Sequence, residues 1–287
     1  MTKAAIIGWP IDHSRSPLIY QSWLDTHRIA GSYERIAVKP GEVKAFMSDF
    51  AANGTERGLV GFNVTIPHKV EAFELANEPD ESARVVGAAN LVWREGGKSH
   101  CANTDGIGFM AHLDQSAPGW KQGRSHVLLL GAGGAARSIL YAFITAGVND
   151  ITVVNRTDAG AEKLVGDLAT LAADRRVTLH ARSWADRSAA AAAASVIVNT
   201  TSLGMKGIGS LDLDLAKMRP GTVVADIVYV PLATELLADA RANGLIAVDG
   251  LGMLLHQAVP CFERYWGVRP SVTDDLRDRL VADIEGH

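Results

Sequence analysis

One stretch constrains the fold of this chain more than any other: Ser125-His126-Val127-Leu128-Leu129-Leu130-Gly131-Ala132-Gly133-Gly134-Ala135-Ala136-Arg137. Its continuous aliphatic run suits a parallel strand covered on both faces. Gly131 and Gly133 permit a tight turn and a close backbone approach, and Ala136 is small enough to let the following helix pack on the strand. Such a turn aims the first N–H groups of a helix, and the positive end of its dipole, at an anion. The pyrophosphate of a dinucleotide is the usual occupant, although similar turns also occur without a ligand. The flanks sharpen the reading. A helix over Ala135–Ala146 ends at Gly147, and a strand Ile151–Val154 closes in Asn155-Arg156-Thr157. That corner is where the adenosine ribose of a dinucleotide falls. A carboxylate there would accept the 2′-hydroxyl of NAD; an arginine with a hydroxyl suits the 2′-phosphate of NADP instead.

The rest of the chain alternates strand and helix signals, which predicts α/β architecture with parallel or mixed sheets. Its 287 residues are enough for two ordinary domains. A net charge of −4 argues against a general nucleic-acid or membrane-surface role. Cys101 and Cys261 give neither a disulfide framework nor metal-ligand spacing, and the nine histidines show no zincin-like pair. Lys3 is the only charged residue before the strand-like run Ala4–Gly8, which reads as no secretory leader, and Ala189–Val198 is too short to span a bilayer. A cytoplasmic protein is expected.

In the N-terminal part, strands are expected over residues 4–8, Tyr33–Val38 and Gly58–Thr65, with helices after Pro17 and over Val43–Ala52. Ser16-Pro17 reads as a helix start, a hydroxyl N-cap followed by proline. Ser14 and Ser16 are also two apart, so in an extended segment their hydroxyls face one way and could hold a carboxylate. Asn63 and Thr65 alternate with apolar neighbours and share a face. Lys69 falls at a helix start, where the dipole disfavours a cation; it is either a solvated surface lysine or a functional one. Asn103-Thr104-Asp105-Gly106 ends a strand and enters a helix, so Asp105 is either an N-cap or part of a site. Glu95-Gly96-Gly97-Lys98 reads as a hairpin turn.

The polar Gln115–Ser125 segment reads as a domain linker. Beyond the dinucleotide motif, strands are expected at Val177–His180, Ser195–Asn199, Thr222–Ile227 and Leu245–Val248. Helices are expected at Ala161–Leu171 and Thr234–Asn243, while Ala189–Ala194 is a low-complexity alanine run. The chain closes in two helices, Leu254–Tyr265 and Val272–Ile284, that return to the first domain.

Six separated segments then converge. Gly8-x-Pro-Ile-x-His-Ser-x-Ser-Pro17, Asn63-Val-Thr-Ile-Pro-x-Lys69, Asn103-Thr-Asp-Gly106, Gly131-Ala-Gly-Gly-Ala-Ala136, Asn155-Arg-Thr157 and Gly250-Leu-Gly-Met-Leu-x-His-Gln257 resemble the shikimate dehydrogenase family in order and spacing. The resemblance spans residues 5 to about 260. It implies an NADP-dependent oxidoreductase that interconverts 3-dehydroshikimate and shikimate in aromatic amino-acid synthesis. It further implies two α/β domains with a cleft between them: a mixed-sheet substrate domain of residues 1–106 and 249–287, and a Rossmann-type doubly wound NADP domain of residues 107–248.

Carried over by motif, Ser14 and Ser16 would bind the substrate carboxylate. Thr65, Lys69, Asn90, Asp105, Tyr229 and Gln257 would surround the ring hydroxyls, with Lys69 and Asp105 as the catalytic pair. Gly131, Ala132, Gly133, Gly134, Ala135, Asn155, Arg156, Thr157, Ile227 and Gly250 would line NADP(H), with Met205 and Met253 nearby. Hydride arriving at a carbonyl carbon leaves negative charge on the oxygen, which a protonated Lys69 can stabilise and quench, with Asp105 orienting the ammonium.

Three positions depart from the family pattern: Leu91 follows Asn90 where a threonine is common, Gly160 stands where some members carry a second basic residue, and Val230 replaces a frequent asparagine. The rival readings are a quinate/shikimate dehydrogenase using NAD, against which Ser16 stands, and a catalytically silent NADP-binding regulator, against which Lys69 with Asp105 stands. The partner is a small molecule, and a monomer or homodimer is expected.

Overall fold

In the N-terminal part of the chain, short strands and helices alternate as β1 (Thr2–Gly8), α1 (Ser16–Thr26), β2 (Gly31–Ala37), α2 (Val43–Asn53), β3 (Leu59–Val64), α3 (Lys69–Leu75), β4 (Glu78–Pro79), α4 (Glu81–Val86), β5 (Leu91–Glu95) and β6 (Lys98–Ala102). The structure is a computed structural model and describes residues 1–53, 58–122 and 125–286. It divides into two units: Met1–Asp105 with Leu255–Asp283, and Gly106–Leu254 with the chain end from Ile284.

The first unit carries a six-stranded sheet in the order β2-β1-β3-β5-β6-β4. β1 runs parallel to β2 and β3, whereas β5 is antiparallel to both β3 and β6, so the sheet is mixed. The β5–β6 turn works because Gly96 and Gly97 take φ of +57° and +78°, as a two-residue hairpin requires. Ile7, Phe62, Val64, Val92 and Cys101 form the core under α2 together with Val43, Met47 and Phe50. Phe46 and Phe50 both meet the Phe62 ring edge-on, at 5.1 and 4.9 Å.

The second unit opens with α5 (Asp105–Ser116), whose first residue belongs to the first unit, and continues through β7 (His126–Leu130), α6 (Gly134–Thr145), β8 (Asp150–Asn155), α7 (Asp158–Asp174), β9 (Thr178–Ser183), α8 (Arg187–Ala193), β10 (Val196–Asn199), β11 (Val223–Asp226), α9 (Glu235–Ala242) and β12 (Ile246–Val248). Its six strands are all parallel, in the order β12-β11-β10-β7-β8-β9. This is the doubly wound arrangement, and its strand order reverses between β7 and β10. Val127, Leu128, Leu129 and Leu130 are all fully buried, as a strand covered on both faces demands. The last helices are α10 (Gly250–Trp266), which passes from the second unit into the first, and α11 (Asp274–Glu285).

Several expectations change. Most of the alanine run lies in helix α8, and Ala191, with Ala194 just beyond the helix, packs into the core beside Leu128 and Ile197. The segment expected as a linker lies inside the second unit, where Trp120 packs edge-on against Phe143 at 5.6 Å and donates from Nε1 to Asp114 at 2.7 Å. Residues 123 and 124 of that segment lie outside the described residues. α6 begins at Gly134 and α10 at Gly250, each earlier than the pattern indicates. Among the described residues, no helix is long and apolar enough to cross a membrane.

Candidate active site

The turn after β3 is fixed first by its backbone. Thr65 N–H donates to Ile7 at 3.0 Å, and His68 N–H donates to the Thr65 carbonyl at 3.0 Å. His68 is buried, with its Nε2 2.7 Å from the Val38 carbonyl oxygen. This turn delivers Lys69 as the first residue of α3, and the Lys69 carbonyl accepts from Ala89 N–H at 2.8 Å. Lys69 Nζ donates to Asp105 Oδ2 at 2.6 Å, and the two side chains are 30% and 12% exposed. A charge-assisted bond of that length, mostly screened from water, holds the ammonium in one place.

Asp105 is the first residue of α5 but does not cap it. Its Oδ1 accepts from Asn90 Nδ2 at 2.8 Å, so both carboxylate oxygens are taken by side chains from elsewhere in the first unit. The N-cap reading is therefore corrected: a cation and an amide outcompete local backbone N–H groups. Asn90 is the hinge of this cluster. Besides Asp105, its Nδ2 faces Thr104 Oγ1 at 2.9 Å and Gln257 Oε1 at 3.2 Å, while its Oδ1 accepts from Thr104 N–H at 2.8 Å. Thr104 in turn donates to the Gln257 carbonyl at 2.9 Å, which ties α10 to the loop. Asn103, Thr104 and Asn90 are all buried, and buried polar side chains must be satisfied in this way.

The serines differ from one another. Ser14 is half-buried, and its carbonyl accepts from Arg35 Nε at 2.9 Å. Ser16 is buried, but it is not a cap: Arg15 occupies that position and no side chain caps α1. Thr65 is half-buried, and its hydroxyl makes no hydrogen bond among the described residues.

In the second unit, Gly131 takes φ +110°, where side chains are strained, and a Cβ there would lie 2.6 Å from Thr200 Oγ1. Thr200 itself donates to the Leu130 carbonyl at 2.7 Å. The turn thus sits at the β7–β10 switch point and admits only glycine. Gly133 and Gly134 are exposed, with nothing near the place a Cβ would take, and Gly133 caps α6 without any side chain. Ala132 and Ala135 are half-buried beside them. Exposed helix N–H groups in a cradle of bare backbone fit a pyrophosphate.

At the end of β8, Asn155 Nδ2 donates to Thr157 Oγ1 at 3.1 Å, and Arg156 is exposed without a hydrogen bond or ion pair among the described residues. A Cβ at Gly160 would stand 2.5 Å from Asn155 Nδ2, so a side chain there would have to displace that amide. Ile227 is half-buried, and Gly250 packs so closely on it that a Cβ would meet the Ile227 carbonyl oxygen at 2.2 Å. Gly252 similarly makes room for the His112 ring. Tyr229 is half-buried and Met205 exposed after their strands, and Met253 is half-buried on α10.

Sequence reasoning missed Asp226 at the end of β11. It is buried and accepts from Asn199 Nδ2, Val228 N–H and Thr234 Oγ1 at 3.0, 3.0 and 2.8 Å. Burial pushes its carboxyl above the usual carboxylate range despite these donors. A lone aspartate inside an apolar strand, Val223-Val224-Ala225-Asp226, was the available signal.

A doubly wound unit with a glycine cradle at its switch point, joined in one chain to a unit carrying a lysine–carboxylate pair, defines a dinucleotide-dependent oxidoreductase. The family model of the shikimate dehydrogenase substrate binding domain matches residues 6–92, and that of shikimate / quinate 5-dehydrogenase matches residues 115–227. The chain is 50% identical over 284 residues to the shikimate dehydrogenase (NADP(+)) of Azorhizobium caulinodans, covering 99% of this chain and 97% of that one. Among solved structures, the shikimate 5-dehydrogenase of Listeria monocytogenes in complex with shikimate and NAD superposes with a TM-score of 0.88 at 28% identity, over 98% of this chain and 96% of that one. The quinate dehydrogenase of Corynebacterium glutamicum in complex with NAD superposes at 0.87 and 28% identity, over 98% and 99% of the two chains. The chain belongs to the shikimate dehydrogenase family.

Proposed function

We propose that this chain catalyses the reversible, NADP-dependent reduction of 3-dehydroshikimate to shikimate, a step of aromatic amino-acid synthesis, with most of the substrate residues on the first unit and the dinucleotide residues on the second. The observation that carries the reading is the 2.6 Å Lys69–Asp105 pair, anchored on Asn90 and with Gln257 beside it. Ser14, Ser16, Thr65 and Tyr229 are assigned to the substrate with them, Ser14 and Ser16 to its carboxylate. Gly131 to Ala135, Ile227 and Gly250 are assigned to the dinucleotide, and Asn155 to Thr157 to its 2′-phosphate. NADPH, when bound, supplies a hydride to the ketone carbon.

The residues of the chain manage the charge that this leaves behind. Lys69 has three N–H donors and Asp105 takes one, so the others are available to the ketone oxygen. As the oxygen becomes an alkoxide, the ammonium stabilises it and passes its proton across; in the oxidative direction neutral Lys69 takes the hydroxyl proton back. Asp105 holds the ammonium to one side and keeps it aimed. Arg156, exposed and unpaired among the described residues, suits a 2′-phosphate, which favours NADP over NAD. Two unpaired, buried thiols, Cys101 and Cys261, suit the reducing cytoplasm. Following nicotinamide absorbance with shikimate and with quinate, each with NADP+ and NAD+, tests the proposal: turnover is expected to be fastest with shikimate and NADP+, and silence with all four pairs would sink it.

A further inference from the structure

Asn63, in β3, takes no part in the chemistry above, yet three phenols converge on it. Tyr20 from α1 and Tyr33 from β2 each donate to its Oδ1 at 2.8 Å, and Tyr265 from α10 approaches the same oxygen at 3.4 Å. Its Nδ2 donates to the backbone carbonyl of Asn90 at 3.0 Å and lies 3.2 Å from Cys261 Sγ. The carboxamide can therefore take only one orientation, oxygen toward the phenols and nitrogen toward Asn90.

The donors are themselves fixed. The rings of Tyr20 and Tyr33 stack at 3.8 Å with 7° between their planes. Gly61, two residues before Asn63, makes room for the Tyr265 ring, since a Cβ there would lie 2.4 Å from Tyr265 Cε1. Burial pushes all three phenols well above their ordinary pKa, so each stays a neutral O–H donor. Burying four polar side chains costs free energy that apolar residues of the same shape would avoid. Core packing alone gives no reason for the arrangement.

What the arrangement touches supplies one. Asn90, held by its carbonyl, is the residue that holds Asp105 and, through it, Lys69. We infer that Asn63, oriented by Tyr20, Tyr33 and Tyr265, is a positioning residue that fixes Asn90 against the Lys69–Asp105 pair. The inference rests on the functional reading above, so the wild-type protein is assayed first: if it turns over none of the four substrate and cofactor pairs, that reading fails and not the network.

Given wild-type turnover, Asn63→Leu tests the network. A displaced lysine pair is expected to lower kcat for shikimate oxidation by about 10–100-fold. NADP+ affinity, measured by direct titration, should stay within about twofold, and the pH profile of kcat should shift, because the pair that moves the proton has moved. A folded Asn63→Leu variant with wild-type kcat, or with a lowered kcat and an unchanged pH profile, overturns the positioning role. If Asn63→Leu does not fold, the Tyr20→Phe/Tyr33→Phe double variant decides: the same shift in pH profile supports the role, and a wild-type profile overturns it.

Discussion

Lys69 stands at the first position of α3, where the helix dipole opposes a positive charge, and its counter-charge Asp105 comes from 36 residues further along. The pair persists because Asn90 and Thr104 lock the carboxylate side of it. Replacing Lys69 by Ala should lower turnover by about 10²–10⁴-fold, the usual worth of a positioned acid–base group. NADP+ binding, followed by titration, should be nearly unaffected; a turnover loss under about tenfold would remove Lys69 from the proton-transfer role. Arg156→Gln should lower kcat/KM for NADP+ by about tenfold or more and leave that for NAD+ nearly unchanged, since a hydrogen bond to a charged group is worth about 1.5–3 kcal/mol. Equal losses with both cofactors would take the arginine away from the 2′-phosphate. At this scale local patterns exposed the polar positions, and only the family resemblance paired Lys69 with Asp105. Asp105 looks like a cap because capping is local, while Lys69 and Asn90 are distant in sequence. Asn63 shows its face by alternation, but nothing local announces three tyrosines.

Among the elements, the end of β11 carries the clearest consequence. Asp226 is buried with a raised carboxyl pKa, so the folded state keeps its proton more tightly than the unfolded chain does. Its contribution is most favourable below the ordinary carboxylate range and is lost as pH climbs from that range to the raised value, levelling off above it. Asp226→Asn keeps an acceptor for Asn199 and Val228 and cannot ionise. Its stability relative to wild type, from denaturant melts between acid and neutral pH, should therefore rise across that window; a constant difference at every pH would contradict the buried charge.

Gly131→Ala forces a Cβ into Thr200 at φ +110°, and should destabilise by about 1–3 kcal/mol while weakening NADP+ binding. An alanine variant with wild-type melting temperature and affinity would show that the turn tolerates a side chain. The strand–helix alternation behind these elements was readable from aliphatic runs and glycine stops. Three features were not. Glu78–Pro79 is a strand because Asn77 pairs with Ser99, N–H to carbonyl at 3.0 Å, a contact 22 residues apart. The alanine run has high helix propensity but no amphipathic period to reveal its face. Gly250 and Gly252 look like a loop, yet they open α10, since only glycine passes the Ile227 backbone and the His112 ring.

Over the whole molecule, each unit has its own sheet and its own core, and the residues assigned to the two ligands divide largely between them. The first sheet is mixed and ends its third strand at the lysine turn; the second is parallel and reverses its strand order at the glycine turn. The α/β class and the parallel strands followed from the sequence because strands buried on both faces leave continuous aliphatic runs, while the doubly wound order of the second sheet came with the family resemblance. The mixed order of the first sheet was only half legible, because its antiparallel pairs, β3–β5 and β5–β6, hang on one hairpin, and the edge strand that pairs parallel with β6 has only two residues. The most direct test of the whole reading is the initial rate of nicotinamide reduction by purified protein with shikimate or quinate and NADP+ or NAD+. Turnover with shikimate and NADP+, exceeding every other pair and nearly abolished in Lys69→Ala, is the expected result. Faster turnover with quinate and NAD+, or none with any pair, would contradict it.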